Sequence, residues 1–393
     1  MSVWHRWIGV DSRGPLDRWL LVGVLALSIW GLLMVYSSSS AMGVVSHRGN
    51  DLFYLQSQLT RWVVGLVLLL GLSQLDVRHL GGRFGWVLWG VSIALLLVLA
   101  TGYGVEVRGA RRWLQVGNSL IQPSEFARLA MIVLLAGLLS RRRGRLNSWR
   151  GLLWPLGVTL GTAGLIAVQP HLSMAFLTGA SGLLLIFLAG GSAWRLMLAS
   201  GAAGGLALLV ARGYHASRMN EFVQGMHGAT GYQARQSMLG IGSGGFLGMG
   251  LGHGMQKHFF LPDPHTDFIL SIIGEELGFV GVMALLLLTG WIVRRILQSG
   301  TRASSAFGSY LTYGIGLQFM LAFLLHTVVC LGWGPTTGVP YPLVSFGGSA
   351  LISNLVAVGL VLSISRRSHA SEPQPAYLGG LLLVQPHAGR GQR

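Results

Sequence analysis

Ten long apolar runs, separated by polar or arginine-bearing connections, dominate the pattern along the chain. They lie at roughly residues 19–38, 62–75, 84–101, 125–140, 151–168, 172–190, 195–212, 268–293, 305–329 and 346–365. A helix needs about 20 consecutive apolar residues to cross the hydrocarbon core of a bilayer. The pattern therefore predicts an all-α, polytopic membrane protein with ten transmembrane helices, the short second and fourth runs extending into their flanks. Two connections are long, 102–124 and 213–267, and loops of that length usually build a site or are disordered. From Ser368 onward, proline, glycine and polar residues surround one short apolar patch, which predicts a mostly disordered tail. The division expected is a segment 1–18, a transmembrane domain 19–367 and a tail 368–393. No repeat of fixed period is visible.

Composition agrees with the pattern. The 393 residues are 52% hydrophobic and 10% charged, with a mean hydropathy of +0.59. The net charge of +16 is spread as arginines between apolar runs, which is how topology signals are distributed, and does not form the single basic face that nucleic-acid binding needs. With the N-terminus inside, 18 of the 28 basic residues fall on the inner side, including the cluster RRRGRLNSWR at 141–150. The positive-inside rule then puts both termini in the cytoplasm and the 213–267 loop, between helices seven and eight, outside. The single cysteine, Cys330, excludes an intrachain disulfide. The first apolar run ends in VYSSSS without a small-residue cleavage site, as a retained anchor does.

Charge is scarce, and it gathers in one place. Of twelve acidic residues, Asp263, Asp267, Glu275 and Glu276 lie within 256–281, beside the chain's only lysine, Lys257. Pro264 can seed a helix whose outer end holds Asp267, either as a capping carboxylate or as a reactive one. Glu275 then lies roughly 12 Å further along and Glu276 on the face opposite Asp267. Glu276 is expected to pair inside the bundle, because an unpaired charge at that depth is costly, while Glu275 stays open. Just upstream, GIGSGGFLGMGLGHG (240–254) lacks the GK[ST] ending of a phosphate loop. It reads better as glycines that let backbone pack closely, delivering Gln256 and Lys257 to a lipid-facing site.

Two further segments carry candidate chemistry. In GARRWLQVGNSLIQPSEFAR (109–128), Pro123-Ser124-Glu125 reads as a helix start and Glu125 with Arg128 as an i, i+3 pair. Its Arg111, Arg112 and Trp113 suit an interfacial belt, or a pyrophosphate grip through the guanidinium fork. GWGPTTGVPYPLVSFGGSALISN (332–354) is an outer turn with three prolines. It is either a self-satisfied re-entrant loop or a polar cleft lined by Ser345 and Ser349.

Taken in order, GARRWL…QPSEFARL, YQARQSMLGIGSGG, GHGMQKHFFLPDPHTDFILSIIGEELGFVG and TTGVPYPLVSFGGSALI resemble the blocks of the SEDS family, the FtsW/RodA-type proteins of bacterial cell-wall synthesis. The resemblance covers roughly 18–367 and implies a peptidoglycan glycosyltransferase of the cytoplasmic (inner) membrane that polymerises lipid II at the outer face. It implies Asp267 as the catalytic general base. Arg111, Arg112, Trp113, Glu125, Arg128, Gln256, Lys257, His265, Thr266, Ser345 and Ser349 are the expected substrate contacts. It leaves room for a divalent cation, Mg or Mn, without a dedicated carboxylate cage, and implies a class B penicillin-binding protein as partner. Three positions depart from the pattern: His171 stands where an aspartate is usual, Arg128 where a lysine is, and Phe346 where a tyrosine is. GMQK and IIGEELG lean towards the FtsW type, SFGGSALI towards the RodA type, with FtsW favoured. The alternatives are a lipid II flippase, whose ionisable groups belong near the midplane, and a non-catalytic scaffold, suggested by His171.

Overall fold

The computed structural model describes residues 14–107, 110–117, 119–142, 144–169, 171–210, 231–368, 377–378 and 381–382. Ten helices occupy the ten predicted places: α1 (Arg18–Ser46), α2 (Phe53–Ser73), α3 (Arg83–Ala100), α4 (Pro123–Arg141), α5 (Trp149–Val168), α6 (Leu172–Leu188), α7 (Ala193–Val210), α9 (Ile269–Thr301), α10 (Ala306–Cys330) and α11 (Gly348–Ser368). A shorter helix, α8 (Tyr232–Ser243), lies in the long connection before α9. Eight of the ten are long and apolar enough to cross a membrane; α6 is apolar but shorter. The N-terminal residues 1–13, residues 211–230 and nearly all of the tail, for which expectations were stated above, lie outside the described residues.

α4 is the central strut. Met131 through Leu139 are all buried, enclosed by α3, α5, α10 and α11. In contrast α2 packs on α11 and α1 along one side and leaves Val63, Val64 and Val67 exposed, as a lipid-facing helix does. Hydroxyls inside the bundle bond back to the preceding turn, as Ser38 to the Met34 carbonyl (2.6 Å) and Thr289 to the Leu285 carbonyl (2.9 Å). Such bonds remove the cost of a polar group in an apolar medium. At the arginine-rich end, Arg295 pairs with Asp17 at 2.6 Å and Arg367 with Asp76.

The all-α expectation needs correction between α3 and α4. There β1 (Val105–Val107), β2 (Ala110–Val116) and β3 (Ser119–Ile121) form an antiparallel meander, with Glu106 opposite Arg111 and Leu114 opposite Ile121. Strands of three residues and a β2 carrying two adjacent arginines have no readable period-2 signature, so the segment looks like a loop in sequence. In the tail, Tyr377–Leu378 pairs with Leu381–Leu382, a short ladder on the apolar patch of an otherwise polar stretch.

The opposite end of the bundle is shaped by a break in α9. Gly278 adopts φ 65°, ψ −163° inside the helix, a conformation accessible in practice only to glycine. The break splits α9 into a first segment of two and a half turns and a long second one. Between α10 and α11, residues 331–347 fold back into the bundle instead of lying across its surface. The Tyr341 hydroxyl donates to Thr289 on α9 (2.9 Å), and a Cβ on Gly31 of α1 would sit 2.6 Å from the Leu343 carbonyl.

Candidate active site

The kink at Gly278 frees carbonyls that the glycine-rich stretch then satisfies. Met249 N–H donates to the Glu275 carbonyl and Gly250 N–H to the Glu276 carbonyl, each at 3.0 Å. Beyond the break, Phe279 and Val280 N–H donate back to Gly245 (2.9 Å) and Phe246 (3.2 Å). At Gly248, φ is 84° and an added Cβ would overlap the Glu276 carbonyl. The glycines therefore permit backbone-on-helix packing, one of the two readings available from the sequence, and no phosphate cradle is needed to explain them.

The two glutamates grip the chain that follows. Glu275 accepts the backbone N–H of Met255 (2.7 Å) and Gln256 (3.1 Å to one oxygen, 3.3 Å to the other). Glu276 takes the Lys257 ammonium at 2.8 Å and lies within 2.7 Å of the Ser37 hydroxyl on α1. Lys257 also donates to the Gly252 carbonyl at 2.6 Å. Lys257 is 4% exposed, so its ammonium is an internal strut and not the open substrate contact expected above. The expectation for Glu276, pairing inside the bundle, agrees with the geometry, and the open question of Glu275 resolves into a backbone clamp. The Gln256 side-chain oxygen is buried with no partner among the described residues.

From this anchor residues 256–267 run through consecutive turns to Asp267. The Asp263 carbonyl accepts both Thr266 N–H (3.2 Å) and Asp267 N–H (3.1 Å), with Asp263 itself at φ 53°. Phe268 follows as the N-cap of α9, so Asp267 stands just before the positive end of a helix dipole, where negative charge is favoured. Asp267 is partly exposed, whereas Glu125, Glu275 and Glu276 are buried. Its Oδ2 faces Gly338 of the re-entrant segment, where a Cβ would lie 3.8 Å away, and its carbonyl lies 3.9 Å from the Cys330 sulfur.

The re-entrant segment closes the other side. Phe346 N–H donates to the His265 carbonyl at 2.8 Å, and the His265 ring packs against Tyr54 (4.7 Å) and Phe346 (5.4 Å). Ser345 is buried; its hydroxyl accepts Tyr341 N–H at 2.9 Å and its carbonyl accepts Gln58 Nε2 at 3.1 Å. Ser349, at the start of α11, accepts Gln122 N–H at 2.9 Å, and the Gln122 amide nitrogen lies 3.2 Å from His171 Nδ1. So Asp267, His265, Thr266, Ser345 and Phe346 come together, with both serine hydroxyls already engaged in holding backbone.

The basic segment does not supply one grip. Arg111 pairs with Glu106 at 3.0 Å with both side chains about half exposed, and the Arg112 guanidinium lies over Trp113 at 5.0 Å. Glu125 and Arg128 form the predicted i, i+3 pair at 3.0 Å, but deep in the bundle, beside Met174. The sequence reading missed Gln58, Tyr54 and Arg61, all on α2. Its apolar run begins only at 62 because FYLQSQLTR is too polar to register, although the helix begins at Phe53.

Residues 18–370 match the FtsW/RodA/SpoVE model, described as a cell cycle protein. The chain is similar to the probable peptidoglycan glycosyltransferase FtsW of Thioalkalivibrio sulfidiphilus, at 36% identity over 91% of each chain. The protein of that name in Trichlorobacter lovleyi is 37% identical over 89% of this chain and 93% of the relative. Among solved structures, a chain from a peptidoglycan synthase complex that coordinates polymerization and crosslinking superposes with TM-score 0.74 at 28% identity, covering 90% of this chain and 98% of that one. The rod shape determining protein RodA of Thermus thermophilus gives 0.67 at 28% identity, covering 89% and 97%.

Proposed function

The chain belongs to the FtsW/RodA/SpoVE family, and we propose on that premise that it is a peptidoglycan glycosyltransferase polymerising lipid II, acting in cell division as the FtsW-named relatives suggest. Asp267 is the general base. Its carboxylate takes the proton of the acceptor's GlcNAc 4-hydroxyl, and the oxygen bonds to the anomeric carbon of the donor MurNAc. The bond from that carbon to the lipid pyrophosphate breaks, releasing undecaprenyl pyrophosphate. The observation that carries this reading is the contrast in exposure: the three glutamates in this part of the bundle are buried in structural contacts, while Asp267 stays partly accessible where two loops meet. His265 and Thr266 hold the turn that presents it.

A divalent cation belongs to the substrate phosphates in this reading. No three His, Cys, Asp or Glu side chains converge among the described residues to form a cage. The multi-pass architecture fits the inner membrane with Asp267 at its outer face. Similarity to the synthase-complex chain supports a class B penicillin-binding protein as partner. The flippase alternative gains nothing from Glu275, whose carboxylate is a backbone clamp. The test is polymerisation of labelled lipid II by the purified protein with its partner. Glycan strands from wild type and none from a folded Asp267→Ala protein support the reading; equal strands from both overturn it.

A further inference from the structure

Arg61 lies roughly 12 Å along α2 from its start at Phe53, well inside a candidate span. A guanidinium at such depth is costly without a counter-charge and usually marks a ligand path. The other cations drawn into the bundle are matched: Arg128 by Glu125, Lys257 by Glu276 and Arg295 by Asp17. For Arg61 the only polar or charge contact among the described residues is with an aromatic face, its guanidinium lying 5.7 Å from the Phe346 ring centre. That ring in turn packs against His265, two residues before Asp267. The Arg61 side chain also fills the space beside Gly348, the first residue of α11, where an added Cβ would overlap its Cδ.

We propose that Arg61 binds the pyrophosphate of the polyprenyl-linked substrate, the contact that the buried Lys257 cannot make. The proposal rests on the glycosyltransferase reading above. Three features point the same way. A planar guanidinium matches paired phosphate oxygens bidentately. The α11 N-terminus adjoining it adds the positive end of a helix dipole, which favours an anion there. Below Arg61 on the same helix, Val63, Val64 and Val67 are exposed, giving an isoprenoid tail an apolar path into the bilayer while its phosphates stay at Arg61. Phosphodiester headgroups of bulk lipid share this chemistry, so the test has to separate them.

Binding of undecaprenyl pyrophosphate and of undecaprenol to the full chain in detergent is measured by native mass spectrometry for wild type, Arg61→Gln and Arg61→Lys. Arg61→Gln is expected to weaken the pyrophosphate lipid by about tenfold or more, the worth of one charge-assisted contact, and to leave the alcohol unchanged. Arg61→Lys, a point charge without the fork, should recover part of the loss. Unchanged pyrophosphate binding in Arg61→Gln, or equal losses for both lipids, overturns the proposal, and so does equimolar phosphatidylglycerol competing as well as the pyrophosphate lipid. Asp267→Asn serves as the control for the parent reading. If it still polymerises lipid II, that reading fails, whereas the Arg61 assignment is decided by the binding data.

Discussion

Lys257 and Glu276 meet at 2.8 Å with 4% and 0% of their side chains exposed. The pair fastens the loop that leads to Asp267 onto the first segment of α9, with Ser37 of α1 completing it. Removing one partner of a buried pair leaves an uncompensated charge, at a cost of about 3–5 kcal/mol. Lys257→Met should therefore lower the thermal midpoint in detergent strongly, and Lys257→Met combined with Glu276→Met should recover much of the loss. If Lys257→Met melts with wild type and only binds lipid II more weakly, the lysine is a ligand and not a strut.

Asp267→Asn keeps the shape of the side chain and its place before α9 while removing the base. General-base catalysis contributes about 10²–10⁴-fold, so the polymerisation rate should fall by that factor with an unchanged thermal midpoint. A matching fall in midpoint would instead mark Asp267 as a capping residue.

Gly278→Ala tests the break in α9. The residue sits at φ 65°, and an added Cβ would collide with the backbone of residues 246–248. Forcing a side chain there costs on the order of 1–3 kcal/mol. Hydrogen exchange should quicken at the Met249 and Gly250 amides, which bond to the carbonyls the break exposes. Unchanged protection at both amides would show that the glycine loop holds its position without the kink.

The ten helices were legible because apolar runs of that length have few other uses; rare acids marked the stretch 256–281, and the family resemblance singled out Asp267 within it. The remainder was hidden for particular reasons. Lys257 and Glu276 are joined through turns with no period, and Asp263 and Phe259 sit at positive φ that neither residue type advertises. Helical-wheel geometry put Glu275 and Glu276 on different faces, yet both reach the same loop, because the loop wraps the short first segment of α9 and meets two sides of it. Arg61 escaped notice at the edge of a run whose first two turns are polar. Those polar residues are themselves informative in the structure, since Gln58 holds Ser345 and Gly347 through both ends of its amide.

His171 occupies a junction, and its chemistry there predicts what a carboxylate would do. It is buried at 4% exposure and immediately precedes α6. Its Nδ1 lies 3.2 Å from the Gln122 amide nitrogen, and Gln122 N–H donates to Ser349. Gln122, through its side-chain amide to His171 and its backbone N–H to Ser349, thus links the starts of α6, α4 and α11. What the junction requires at 171 is an acceptor for an amide N–H, which an imidazole nitrogen and a carboxylate both supply. His171→Asp should therefore keep the wild-type thermal midpoint and polymerisation rate to within about threefold. His171→Leu fills the space without an acceptor and leaves the Gln122 amide short of a partner, at a cost of about 1–3 kcal/mol. The loss should appear both as a lower midpoint and as slower polymerisation, because the α11 start that Ser349 anchors also carries Phe346 against His265. A His171→Leu protein as stable and active as wild type would mean that packing alone holds the three helix starts together.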